Sequence, residues 1–253
     1  MGKTKIDWTD RTWNPVTGCS EKSIGCKNCY AKRLALKAQA EGKLKYKNGF
    51  FVTLHEDCLD EPLSWKKTSN IFVCSMADLF HELVPFEFID RIMRVIKLTP
   101  HHTYQILTKR AERMNEYFST RNIPANVWIG VTVEAPALKY RIDSLCNLAA
   151  TVKFLSCEPL VDDLGELNLE GIDWVIVGGE TGFGARPMRE EWVLNIKNQV
   201  KNQRIPFFFK QWGVWGPDGI RRKPEENGKF LQGKFIQEVP AVEPNIPKME
   251  PLF

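Results

Sequence analysis

Short apolar runs alternate with helical segments along this chain, and that alternation restricts its fold more than any other feature. The runs cover residues 50–54, 71–74, 103–107, 127–133, 152–155, 174–177 and 206–209. Each is rich in β-branched or aromatic residues and apolar at successive positions, as in strands buried on both faces of a parallel sheet. Helical patterns occupy most of the intervals, at 30–41, 86–98, 110–118, 135–148 and 190–202, with a shorter one near 59–67. Trp8, Trp13, Asn14 and Pro15 mark a further extended segment, which brings the strands to eight. Eight β/α units predict a (β/α) barrel of the TIM type, closed or nearly closed. On this reading residues 1–211 form the barrel, and 212–253 a C-terminal extension of turns and one hairpin with a proline-rich, extended end.

The residues that follow each run are polar: His55-Glu56, Ser75-Met76-Ala77-Asp78, Thr108-Lys109-Arg110, Glu134, Ser156-Cys157-Glu158, Gly178-Gly179-Glu180 and Lys210-Gln211. One such residue is most simply a helix cap. Seven sets in succession predict a shared pocket, because the carboxyl ends of barrel strands build the active site. Lys109, Glu158 and Glu180 are the candidates for chemistry. Glu56, Ser75, Asp78, Thr108 and Glu134 are the candidates for holding a cofactor, the acidic ones by accepting hydrogen bonds from ribose hydroxyls. Arg186, Lys210 and Gln211 are the candidates for substrate. Arg186 closes the stretch GGETGFGARP, whose glycines let backbone amides approach a carboxylate or phosphate but which lacks the GK[ST] of a P-loop. The run PFFFK reads as a buried strand, and Cys74 and Cys157 as buried thiols.

Between the opening extended segment and the first helix lies TWNPVTGCSEKSIGCKNCY, a turn-rich loop carrying Cys19, Cys26 and Cys29. Three close thiols form a soft-metal site. Structural zinc is normally closed by four protein ligands, whereas a [4Fe–4S] cluster on three thiolates keeps one iron open. Spacing alone leaves both readings standing, with His55, His81 or a carboxylate available to complete a zinc site. The place of the loop, at the mouth of the expected barrel, favours the cluster. An open iron can chelate S-adenosylmethionine, and the reduced cluster then cleaves it to an adenosyl radical.

The stretches TWNPVTGCSEKSIGCKNCYA, FVCSMADLFHELVP, YQILTKR, WIGVTVE, FLSCEPL, DWVIVGGETGFGARPM and PFFFKQWG resemble the phage-associated three-Cys-motif radical SAM family. The resemblance runs from Trp8 to about Pro240. It implies a radical SAM enzyme with Cys19, Cys26 and Cys29 as cluster ligands, S-adenosylmethionine as cofactor, and a reducing partner such as flavodoxin or ferredoxin. Some members are similar to phage enzymes that isomerise an amino acid joined to the methyl group of thymidine. A modified nucleobase or nucleoside in DNA or RNA is therefore the expected substrate, and isomerisation the expected reaction. The net charge of +4 permits such a substrate without demanding it.

Two other readings compete: a lyase repairing a nucleobase lesion by the same radical, and a zinc-stabilised nucleic-acid-binding or nuclease module with Glu56, Asp78 and Glu134 on Mg²⁺. The 43% hydrophobic and 26% charged fractions exclude disorder, and no apolar run reaches the roughly 18 residues of a spanning helix. With no secretory signal in MGKTKIDWTDRTW and an odd count of seven cysteines, a cytoplasmic location is expected, in a bacterium or a phage-infected host.

Overall fold

The computed structural model describes Thr4 and residues 6–241. In chain order its elements are β1 (Arg11–Trp13), β2 (Val16–Thr17), α1 (Tyr30–Ala40), β3 (Thr53–Leu54), β4 (Asn70–Val73), α2 (Phe86–Leu98), β5 (Thr103–Thr108), α3 (Ala111–Phe118), β6 (Val127–Thr132), α4 (Tyr140–Cys146), β7 (Val152–Cys157), β8 (Trp174–Gly178), α5 (Glu190–Asn202), β9 (Phe207–Gln211), α6 (Pro224–Asn227), β10 (Phe230–Leu231) and β11 (Lys234–Phe235). Seven strands form one sheet in the order β1-β4-β5-β6-β7-β8-β9, with every neighbouring pair parallel. The α/β class therefore holds, but the closed eight-unit TIM barrel does not. The sheet is a curled half-barrel, with β1 and β9 as its two edges.

The missing unit is the run at 50–54. Only Thr53–Leu54 is extended there, and it pairs antiparallel with Val16–Thr17 outside the main sheet. Phe51 is 82% exposed, so the apolar composition of this run does not report burial. The chain turns back at Gly49, whose φ is +61°, and returns against the cysteine loop instead of entering the sheet. The segment near 59–67 forms only short 3₁₀ turns at Glu56–Cys58 and Glu61–Ser64. The helix expected at 135–148 shortens to α4, because Pro136 starts a separate turn.

Alternation along the strands creates two apolar layers. Val73, Tyr104, Ile106, Ile129, Val131, Leu155, Val175, Val177 and Phe209 face the helices, meeting the stripe of α2 at Ile89, Ile92, Met93 and Ile96 and that of α5 at Val193, Ile196 and Val200. That i, i+3, i+7 spacing is why these segments are helical and why they lie on the sheet. On the concave side Trp8, Phe72, Trp128, Phe154, Trp174 and Phe208 stack into a separate aromatic cluster near the amino ends of the strands. This cluster fills the bottom of the half-barrel. It leaves the carboxyl ends as the open mouth.

No helix joins β7 to β8; Leu160, Leu164, Leu167, Leu169 and Ile172 tuck that connection onto the core instead. Beyond β9 the expected hairpin is β10–β11. After it, the backbone of 236–238 lies antiparallel along β9: Phe209 N–H donates to the Ile236 carbonyl at 2.8 Å and Glu238 N–H to the Phe207 carbonyl at 3.1 Å. Much of the proline-rich stretch lies outside the described residues. Among the described residues no helix is long and apolar enough to cross a membrane.

Candidate metal and cofactor site

Because all seven strands run the same way, their polar carboxyl ends gather on one rim, and the cysteine loop is pinned across it. Gly18 starts the loop at a φ of +83°, and a Cβ there would stand 2.2 Å from the Phe51 carbonyl oxygen. Only glycine meets both demands. Gly18 N–H donates to the Met76 carbonyl at 3.0 Å and Cys19 N–H to the Phe50 carbonyl at 3.1 Å, so the run at 50–54 braces the loop. A 3₁₀ turn at Ile24–Cys26 and the start of α1 place Cys26 and Cys29 one turn apart, with Cys29 N–H donating to the Cys26 carbonyl.

Three strand-end groups hold the loop. The first is Arg110, 2% exposed after β5, which donates through Nε to Glu82, through Nη2 to Ser20 Oγ at 2.9 Å, and through Nη1 to Asp78 at 3.3 Å and Cys19 Sγ at 3.5 Å. Asp78 in turn accepts from Thr108 Oγ1 at 2.7 Å and from the amides of Phe80 and Lys109. Ser20 Oγ also meets His81 Nε2 at 2.8 Å. Burial, then Arg110, lowers the His81 pKa, which keeps this ring neutral.

The second group is Glu134, fully buried, whose Oε1 accepts from Ser23 Oγ at 2.6 Å and from Lys109 Nζ, while Oε2 accepts from Arg141 Nη1 at 3.0 Å. Gly25 rests against it so closely that a Cβ would lie 2.4 Å from Oε1. The third is Glu180, which binds Arg186 through its side chain and amide and accepts from Asn28 Nδ2 at 3.0 Å. Arg186 Nη2 reaches the Ile24 carbonyl at 3.0 Å. Burial alone would raise the Glu180 carboxyl, but Arg186 and Asn28 outweigh it and hold the group below the usual carboxylate range.

Farther along the rim, Lys210 Nζ pairs with Glu158 at 2.8 Å, Ser156 Oγ donates to the same carboxylate at 3.3 Å, and Gln211 donates to the Gly179 carbonyl. Ser75 donates to Asn14 Oδ1, and its carbonyl accepts from Tyr30 Oη at 2.6 Å. Thus Ser75, Asp78, Thr108, Lys109, Glu134, Glu158, Glu180, Arg186, Lys210 and Gln211 line one rim around Cys19, Cys26 and Cys29. Glu56 does not join them. It points outward, 61% exposed, in an ion pair with Arg91 of α2.

Sequence reading passed over Ser20, Ser23, Asn28 and Arg141 as site-builders, and offered His81 only as a ligand to zinc. Ser20, Ser23 and Asn28 lie inside the cysteine motif, and their residue type was the available signal. Arg141 gave none, because an arginine in an amphipathic helix normally faces water.

The three thiols are free and half-buried. Cys19 Sγ receives Arg110 Nη1, and Cys26 Sγ receives the Lys22 amide at 3.4 Å and faces Ser23 Oγ at 3.9 Å. N–H donors aimed at sulfur suit thiolates that carry the charge of an iron–sulfur cluster. Burial, then Asp78, lifts the unligated Cys19 thiol to about 11 against the pull of Arg110, so a metal must displace its proton. Among the described residues no three His, Cys, Asp or Glu side chains converge on one point as a single ion requires. Two histidines meet the loop through its hydroxyl groups, His55 at Thr17 and His81 at Ser20.

A family model described as a protein of unknown function, DUF5131, matches residues 3–240. No curated protein matches the chain at a significant level. Among solved structures, spore photoproduct lyase complexed with dinucleoside spore photoproduct superposes with a TM-score of 0.43 at 10% identity, over 92% of this chain and 76% of that one. A mutant of that lyase with bound AdoMet and dinucleoside spore photoproduct gives 0.38 at 8% identity, over 78% and 64%. Neither superposition bears on the chemistry of the rim.

Proposed function

We propose that this chain, which belongs to the DUF5131 family, is a radical SAM enzyme that rearranges a modified nucleobase or nucleoside in DNA or RNA. One observation carries the reading: three thiols of one loop are anchored over the carboxyl rim of a parallel sheet by Arg110, Glu134 and the Glu180–Arg186 pair. Cys19, Cys26 and Cys29 hold the cluster. A [4Fe–4S] cluster bound there supplies, once reduced, the electron that splits S-adenosylmethionine into methionine and an adenosyl radical.

The remaining work falls to the protein. Arg110 and the Lys22 amide donate to the sulfurs and offset their charge. Glu134 and Glu180 act as positioning residues, since their carboxylates are spent on the loop and its braces. Lys109 and Lys210 put two cations on the rim, placed for the carboxylate of the cofactor or an anionic substrate. Glu158, with Lys210 and Ser156, is the group available to accept a hydrogen bond from substrate. The aromatic cluster below the mouth excludes water from beneath the reacting groups. In this reading residues 1–211 form the catalytic unit and 212–253 an extension.

The test is anaerobic reconstitution with iron and sulfide. The expected product is a brown protein with about four irons per chain that forms 5′-deoxyadenosine from S-adenosylmethionine and dithionite, and Cys26→Ala should abolish both properties. A colourless chain that binds one zinc and makes no 5′-deoxyadenosine overturns the proposal. The product separates the two radical readings: an isomer of the substrate nucleobase supports rearrangement, and a cleaved lesion supports the lyase.

A further inference from the structure

Phe183 stands between Gly182 and Gly184 in the loop that follows β8, and at 94% it is the most exposed large apolar side chain among the described residues. A single exposed ring is ordinary on a protein surface. Its mounting is not. The Phe183 carbonyl accepts from Arg221 Nη2 at 2.8 Å, the Gly184 carbonyl from Asn28 Nδ2 at 2.7 Å, and the Ala185 carbonyl from Trp215 Nε1 at 2.7 Å. The Arg186 amide donates to Glu180 at 2.8 Å. Four consecutive residues are therefore tied to different parts of the molecule, while the ring between them buries almost nothing. Gly182 has a φ of +112°, and a Cβ on Gly184 would stand 2.8 Å from Asn28 Oδ1, so both glycines serve this shape.

The surroundings of the ring are cationic. The guanidinium carbon of Arg221 lies 5.7 Å from its centroid, and Arg33 Nη1 lies 2.7 Å from the position of a Cβ on Gly182. Neither arginine forms an ion pair with a carboxylate among the described residues. A rigid ring with an open face, beside two unneutralised guanidinium groups, is complementary to a nucleobase with phosphates on either side. A protein surface that buried Phe183 in an apolar pocket would gain nothing from the two charges, and a membrane would require a broader apolar face.

We propose that Phe183, with Arg33 and Arg221, forms a binding site for an unstacked nucleobase and its flanking phosphates in single-stranded nucleic acid. Asn28 joins this loop to the cysteine loop, so the bound strand lies beside Cys26 and Cys29. The inference deepens the proposed function by naming how its substrate is presented, but the binding itself needs no cluster.

The test is fluorescence anisotropy of the full-length protein with a labelled single-stranded oligodeoxynucleotide, an RNA of the same sequence, and the corresponding DNA duplex. Phe183→Ala should weaken single-strand binding about 5- to 150-fold, the equivalent of about 1–3 kcal/mol for one stacked base, with an unchanged thermal midpoint. Phe183→Trp should retain binding. Arg221→Ala should weaken it and lower the slope of log affinity against log salt by about one. Tighter binding of DNA or of RNA identifies the natural strand, and either supports the site. Equal binding by wild type and Phe183→Ala, or binding of duplex alone, overturns it. Loss of this site with 5′-deoxyadenosine formation intact would leave the radical reading standing, and a binding chain that forms no 5′-deoxyadenosine would do the reverse.

Discussion

Glu134→Gln changes one charge at the most enclosed point of the rim, and its effect can be worked out from the partners. Glu134 and Arg141 are both 0% exposed, whereas the side chain of Lys109 is 21% exposed. When the carboxylate is lost, Lys109 can turn to water and Arg141 cannot. Arg141 is already short of partners: Nη1 donates to Glu134 and to the Thr132 carbonyl, while Nε and Nη2 find no acceptor. The glutamine amide also sets a donor against Ser23 and Lys109 if it stands at Oε1, or against Arg141 if it stands at Oε2, where the carboxylate accepted from all three. A buried charge stripped of its counter-ion costs about 3–5 kcal/mol, a large part of the roughly 5–15 kcal/mol that holds a domain together. For a chain of this size the thermal midpoint should fall by about 6–20 °C.

The assay is urea denaturation of the metal-free protein under reducing conditions, run as a double-mutant cycle with Arg141→Met. Removing both charges leaves no stranded ion, so the double variant should be more stable than the sum of the single losses predicts, by about 0.5–3 kcal/mol. Strict additivity, or a Glu134→Gln cost below about 1 kcal/mol, would show that the Glu134–Arg141 pair is not the brace inferred from the structure.

Two further outcomes follow from the same packing. Gly25→Ala places a methyl group against Glu134 and should lift the cysteine loop from the rim, at a cost of about 1–3 kcal/mol and with less iron retained per chain after reconstitution, measured by denaturation and metal analysis. For His55 and His102, burial lowers the pKa below 6.5, helped at His102 by the neighbouring His101. The unfolded chain then takes up these protons first, so stability is full above pH 6.5 and declines as pH falls through 6.5 toward the folded-state values. The slope approaches about 1.4 kcal/mol per pH unit for each ring, and a stability that rose on acidification from pH 7 to 5.5 would contradict it.

The sheet was legible in the sequence because a parallel strand covered on both faces needs apolar residues at every position, and WVIVG and VWIGVT meet that demand with little ambiguity. The rim followed from it, since parallel strands place all their carboxyl ends together. The run FFVTL at 50–54 shows where composition misleads. Phe51 is apolar yet exposed, and what decides its place is the turn at Gly49 and the contact with Gly18, neither of which hydrophobicity encodes. The partners of the cysteine loop were hidden for a different reason. Ser23 meets Glu134 across 111 residues and Asn28 meets Glu180 across 152, so residue type suggests a donor and an acceptor but not which two meet. Glu56 stood where the pattern placed a site residue, but its strand never joined the sheet.

The stretch at 236–238 gives β9 a covering that β1 does not have among the described residues. Phe207, Phe208 and Phe209 form a short, uncharged, strongly β-forming segment, and an unpaired edge of that composition is a template on which a second molecule can add a strand. By supplying the Ile236 carbonyl and the Glu238 amide and carboxylate to that edge, the chain occupies the template itself. The family match runs to residue 240 and so includes this self-capping strand. Seen this way the stretch at 236–238 is a guard against polymerisation, and it keeps the sheet finite although the barrel never closes.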